Sequence, residues 1–96
     1  MKQQDLIDAN RDAIRAIVSK YGCSNPRVFG SVAHGSAGVQ SDIDFVIDAG
    51  EDTSLFDLSG IYYELEQMLP VGIDLVTSRQ VPQEAKDSVL GSAIPV

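Results

Sequence analysis

The sequence predicts a small α/β (α+β) domain with helices packed on a single sheet, and three observations support that reading. Apolar residues recur at helical period over residues 5–21 and again over 55–69. The run Asp42-Ile43-Asp44-Phe45-Val46-Ile47-Asp48 alternates between apolar and acidic side chains, as a strand with one buried face does. The elements follow in the order α-β-β-α-β-α without an internal repeat, linker or low-complexity segment, so one core is expected to hold all of residues 1–96.

The first helix is read from Leu6, Ile7, Ala13, Ile14, Ile17, Val18 and Tyr21, with Gly22 stopping it. Asn25-Pro26 breaks direction, and Arg27-Val28-Phe29 forms a short strand running into Gly30-Ser31. Residues 30–41 read as a loop with three glycines, three serines and no carboxylate. In the second strand Ile43, Phe45 and Ile47 share one face, and Asp42, Asp44 and Asp48 share the other around Val46. Thr53 or Ser54 caps the next helix, with Ser54-Leu55-Phe56-Asp57 as a capping box and Leu55, Leu58, Tyr62, Leu65 and Leu69 as the apolar stripe. Pro70 ends that helix, residues 72–77 form the third strand, and a last helix starts at Ser78 with Pro82 in its first turn and Gly91 near its end.

Composition excludes several classes of function. Fourteen acidic residues against seven basic ones give a net charge of −7 over 96 residues, a poor match to a phosphate backbone, so no direct DNA or RNA binding is expected. The single Cys23 rules out an internal disulfide and a multi-cysteine zinc site. No apolar leader or membrane-length run occurs, so a cytoplasmic location is expected.

The chemistry concentrates in Phe29-Gly30-Ser31 and Ser41-Asp42-Ile43-Asp44. Carboxylates at i and i+2 on a strand point the same way about 7 Å apart and repel by roughly 2–3 kcal/mol at an effective dielectric of 20. A divalent cation offsets that repulsion, and hard oxygen donors suit Mg²⁺, which completes its shell with water and substrate phosphates. Asp74 supplies a third carboxylate if its strand lies beside the first, and three carboxylates around two metals suit in-line phosphoryl transfer. The glycine-rich turn provides the complementary half, since its backbone N–H groups and the Ser31 hydroxyl can approach phosphate oxygens. Asp48 shares the face of Asp44 about 13 Å further along and reads as a solvated acid at the strand end. Tyr62 and Tyr63 read as packing residues.

These residues carry a resemblance. Gly30-Ser31, ten intervening residues, Asp42-Ile43-Asp44 and the later strand acid Asp74 resemble the signature of the polymerase β-like nucleotidyltransferase superfamily. Arg27-Val28-Phe29-Gly30-Ser31, Ser41 to Ile47, Ser54 to Leu58 and Ile73 to Thr77 are similar to its minimal nucleotidyltransferase branch, whose members pair with HEPN proteins in toxin–antitoxin modules. The resemblance implies a mixed-sheet palm with flanking helices. It also implies that Asp42, Asp44 and Asp74 are metal ligands and catalytic acids, and that Gly30, Ser31, His34, Gly35 and Ser41 lie along the nucleotide. His34 stands where the family often has Arg or Lys, so that position offers the phosphates less fixed charge.

Two functions compete on this reading. The first is Mg²⁺-dependent transfer of AMP from ATP to a protein hydroxyl, the resemblance pointing to a tyrosine of a cognate HEPN ribonuclease toxin. A chain of 96 residues has no room for the template-binding parts of a processive polymerase, so a partner protein is the expected acceptor. The second is an antitoxin that masks the HEPN toxin by contact alone, with acidity suiting a basic partner surface. D-x-D phosphatases and sugar-nucleotide glycosyltransferases both need larger architectures.

Overall fold

The structure is a computed structural model that describes residues 3–29 and 42–96. The expected first helix is two: α1 (Gln3–Ala9) and α2 (Arg11–Lys20). Asn10 makes the break. Its side-chain amide donates to the Leu6 carbonyl at 2.8 Å, and its backbone N–H donates to Ile7 at 3.1 Å. An Asn side chain that satisfies the end of one helix competes with continuing it. The apolar spacing survives the break, which is why periodicity alone missed it. Gly22, at φ 78°, then ends α2 in the left-handed conformation that favours glycine, and the N–H groups of Gly22 and Cys23 return to Ser19 and Val18. Cys23 is buried and unpaired.

The sheet runs in the order β3 (Ile73–Thr77), β2 (Ile43–Asp48), β1 (Ser24–Phe29), β4 (Ile94–Pro95). Strand β1 (Ser24–Phe29) starts earlier than the sequence suggests, with Asn25 at φ 55° and a register irregularity between Ser24 and Arg27. Asn25-Pro26 therefore bends a strand without ending it, consistent with proline's confinement to bulges and edges. Strand β2 (Ile43–Asp48) pairs antiparallel with β1 and parallel with β3 (Ile73–Thr77). The short β4 (Ile94–Pro95), which the sequence reading missed, pairs with Arg27 and Val28 on the far side of β1. Two residues carry too little alternation to register as a strand; what holds them is distant. Arg11 and Arg15 of α2 donate to the carbonyls of Pro95 and Val96.

Helix α3 (Leu55–Met68) has the expected capping box, Ser54 accepting from the Asp57 N–H while Asp57 accepts from the Ser54 N–H. Its buried stripe differs from the one expected. Ile61, Leu65 and the adjoining Leu69 are buried, while Leu55 is 79% and Phe56 89% exposed, and Tyr62 and Tyr63 lie on the surface instead of packing. The helix has more apolar residues than one face can hold; Ile61, Leu65 and Leu69 enter the core, with Leu58 packed against it, and the far side of the helix contacts α2 and its C-cap. Lys20 forms an ion pair with Glu64 at 2.9 Å, and the Tyr21 hydroxyl donates to the same carboxylate. After β3 the chain makes two 3₁₀ turns, Ser78–Gln80 and Gln83–Ala85, before α4 (Lys86–Ser92), so the expected single helix starts eight residues late. Gln80 caps back onto the Thr77 N–H, and Val81 is extended before Pro82, the conformation a following proline favours.

Ile43, Phe45, Ile47, Val28 and Ile73 turn one sheet face into a core completed by Ile7, Ile14, Val18, Ile61 and Leu65. Val46 points to the opposite face and is nonetheless fully buried, as is Val81 nearly so, outside that core. The C-terminal elements cover this part of the second face, with α4 against β1 and the first 3₁₀ turn against β2. The acidic residues of β2 thus share their face with a second, smaller apolar contact. Among the described residues, no helix is long and apolar enough to cross a membrane.

Candidate active site

Parallel pairing of β2 with β3 sets Asp44 directly beside Asp74. Residues opposite each other in a parallel ladder present side chains to the same face, so the third acid joins the first two. The two carboxyls lie within hydrogen-bonding reach. Burial pushes the Asp44 carboxyl above its usual range, and the charge of Asp74, its hydrogen bond and the charge of Asp42 add to that push. Three like charges are thus gathered at one end of β2, with no basic side chain bonded to them among the described residues.

Asp42 is placed by Gly72. The Ile43 N–H donates to the Gly72 carbonyl at 3.0 Å, joining the entries of β2 and β3. The Asp42 carboxylate then lies against Gly72, where a Cβ would collide with it, 3.0 Å from its Cγ and closer still to one oxygen. Sequence reading treated Gly72 only as the start of a strand. Its signal was a glycine immediately before an acid-bearing strand, a place where glycine often marks close approach.

The donor set is hard oxygen throughout, which suits Mg²⁺ over softer metals. Among the described residues, no group of three or more His, Cys, Asp or Glu side chains is gathered tightly enough to hold a metal alone. The geometry is a carboxylate pair, Asp44 and Asp74, with Asp42 beside it. Mg²⁺ is commonly held by one or two carboxylates plus water and substrate phosphates, so this pair fits it. Gly30, Ser31, His34, Gly35 and Ser41 lie outside the described residues. The last described residue before that segment, Phe29, is the register partner of Asp44.

Asp48 is not the solvated acid expected from its position at the strand end. Its carboxylate accepts from Arg27 at 3.0 Å and from the Asn25 amide at 3.1 Å. The Arg27 hydrogen bond holds it below the usual carboxylate range, and the bonds from Asn25 and Ser78 act in the same direction. Tyr62 also lies near the acids. Its phenol is raised first by its hydrogen bond to Glu66, and the charges of Asp74 and Asp42 reach it as well.

Known proteins agree with this architecture. A family model described as a nucleotidyltransferase domain matches residues 11–96. The protein named "Putative protein adenylyltransferase MJ0435", from Methanocaldococcus jannaschii, is 36% identical over 80 residues, spanning 83% of this chain and 86% of that one. A solved structure described as a "putative minimal nucleotidyltransferase" superposes with a TM-score of 0.88 at 34% identity, covering 100% of this chain and 97% of the other. The match covers the mixed sheet, its flanking helices and the strands that carry Asp42, Asp44 and Asp74, and on these grounds the chain belongs to the nucleotidyltransferase domain family and is a nucleotidyltransferase.

Proposed function

We propose that the protein transfers AMP from ATP to a hydroxyl of a partner protein, and that Asp42, Asp44 and Asp74 are the acids that serve the reaction. The observation that carries this reading is the Asp44–Asp74 pairing across parallel strands, with Asp42 turned toward the same corner by Gly72. Asp44 and Asp74, with Asp42 as the third ligand, would hold Mg²⁺, which would supply charge neutralisation at the phosphates. Asp74, exposed on its strand, would orient the acceptor hydroxyl and receive its proton. The acceptor oxygen forms a bond to the α-phosphorus while the bond from that phosphorus to the bridging oxygen breaks, releasing pyrophosphate. Gly30, Ser31, His34, Gly35 and Ser41 would complete the nucleotide site.

The acceptor class is supported by the relative whose name carries protein adenylyltransferase. The family resemblance supports a tyrosine of a cognate HEPN ribonuclease toxin as acceptor, which makes the protein an antitoxin acting in the cytoplasm. A contact-only antitoxin is favoured by a different observation: Leu55, Phe56 and Tyr63 are exposed on α3 beside the acids Asp52, Glu51 and Glu66, a surface suited to an apolar and basic partner. Incubating the protein with its HEPN partner and Mg-ATP decides between them by mass spectrometry of the partner. An adenylyl increment that disappears with Asp42→Ala/Asp44→Ala supports transfer. Absence of the increment, with toxicity still suppressed by that variant, overturns it in favour of contact alone.

A further inference from the structure

Three positive charges, Arg27, Arg79 and Lys86, converge at the other end of the acidic face. A cavity of about 470 Å³ is lined by Arg27, Asp48, Ser78, Arg79, Lys86 and Leu90, a volume in the range of small-ligand sites. It holds three of the seven Lys and Arg residues of a chain whose net charge is −7. Arg27 faces the same side of the sheet as Asp44, because it is the register partner of Val46.

The single acid in this cavity does not neutralise all three cations. Asp48 is committed to Arg27 and Asn25. Arg27 itself is engaged, donating from one terminal nitrogen to the Asn25 carbonyl and from the other to Asp48. Its Nε is buried without a partner among the described residues, so Arg27 contributes field to the cavity more than contact. Arg79 and Lys86 remain. Neither forms an ion pair among the described residues, and both face the same space. Elsewhere Arg11 pairs with Asp8 and Lys20 with Glu64. In so acidic a protein, two cations left unpaired in one cavity mark a place where an anion is the missing partner.

We propose that this cavity binds a phosphate group through Arg79 and Lys86, at a site separate from the carboxylate pair. A planar guanidinium and an ammonium around a tetrahedral anion are a recurrent combination for phosphate. Asp48, which lines this cavity, lies about 13 Å along β2 from Asp44, and none of the three clustered acids Asp42, Asp44 and Asp74 is among the lining residues. The site rests on geometry of its own and does not depend on the proposed reaction.

Amide shifts in ¹⁵N-labelled protein, followed by NMR during titration with inorganic phosphate, pyrophosphate or AMP, test the proposal at constant ionic strength in EDTA. Saturable shifts are expected at Ser78, Arg79, Lys86 and Leu90, retained in Asp42→Asn/Asp44→Asn and weakened about tenfold or more in Arg79→Gln/Lys86→Gln. Equal affinity for phosphate and AMP assigns the site to the phosphate group alone, whereas tighter AMP binding assigns it to a nucleotide; either supports the site. Shifts no larger than those from chloride, or unchanged in Arg79→Gln/Lys86→Gln with its fold intact by circular dichroism, overturn it. So do shifts centred on Asp44 and lost in Asp42→Asn/Asp44→Asn.

Discussion

Asp44 and Asp48 are the same residue type on the same strand and the same face, yet their surroundings drive them in opposite directions. Asp44 is half-buried beside two further carboxylates and is pushed up, first by burial and then by Asp74. Asp48 is held down, first by Arg27. Four residues of strand separate a cluster the protein leaves electrostatically incomplete from one it completes itself. A stable fold gains nothing from gathering three carboxylates, so the incomplete end is where an outside cation and a phosphate have a reason to bind. The completed end contributes to the fold, and its surplus positive charge lies beyond Asp48.

The largest expected effect comes from removing charge at the incomplete end. Asp44→Asn should lower adenylyl transfer by about 10³-fold, the several kcal/mol that metal-assisted phosphoryl transfer stands to lose, as read by incorporation of labelled AMP. In EDTA the same variant should melt a few °C higher than wild type, because like-charge repulsion is relieved. Adding Mg²⁺ or Mn²⁺ should raise the melting temperature of wild type and not of Asp44→Asn, since a ligand that binds only the folded state stabilises it by mass action. Loss of activity together with loss of stability would remove the contrast between the two ends.

Breaking the completed end should do the reverse. Arg27 is 11% exposed and Asp48 39%, so the pair is more than a surface ion pair and less than a fully buried one. Arg27→Gln should destabilise by about 1–3 kcal/mol, because Asp48 loses its main partner and the Asn25 carbonyl loses a donor. In a domain of this size that lowers the melting temperature by roughly 4–8 °C per kcal/mol. Denaturant midpoints with unchanged slopes would confirm that stability alone has moved.

A smaller effect separates positioning from folding at the active end. Gly72→Ala should turn the Asp42 carboxylate away, since its oxygens occupy the space of the new Cβ. Metal affinity, read by Mn²⁺ relaxation, should fall about tenfold, as for other residues that orient ligands. The carboxylate is the free end of a short side chain, so the melting temperature should change little. A large stability loss with unchanged Mn²⁺ affinity would show that Gly72 matters to the strand and not to Asp42.

How far each end was legible in the sequence follows from the range of the interactions. Alternation in residues 42–48 is local and revealed both the buried face and the D-x-D acids. Asp74 was readable as a strand acid, and only the parallel pairing with β2, which no local pattern announces, brings it beside Asp44. The Ser54–Asp57 capping box is three residues long and was equally plain. Asp48 was misread because its partner is on another strand at a separation of 21 residues, with no local pattern to announce it. The stripe of α3 was legible in part: Leu65 and Leu69 are buried and Leu58 packs against the core, but Ile61 is buried where Tyr62 was expected and Leu55 is exposed, because periodicity does not choose between adjacent apolar faces of one helix. The break at Asn10 rests on one side-chain hydrogen bond that apolar periodicity does not record.

The smallest predicted effect is on pH dependence, and it tests the opposition most directly. An aspartate in the unfolded chain titrates near 3.9. Asp48 titrates below its unfolded value, so its contribution is present above about pH 4 and is lost as pH falls through the depressed native value. Asp44 titrates above its unfolded value, so the native state binds more protons between the two values and stability falls as pH rises through that window. Melting temperatures in EDTA should therefore diverge. The deficit of Asp48→Asn relative to wild type should be full above about pH 4 and shrink below it, while the advantage of Asp44→Asn should be absent below about pH 4 and grow above it. Asp48 is partly exposed, and screening will keep its effect small, so the sign of the two trends matters more than their size. Parallel trends in the two variants would mean that both carboxylates sit in equivalent surroundings, and the distinction between the two ends of β2 would fail.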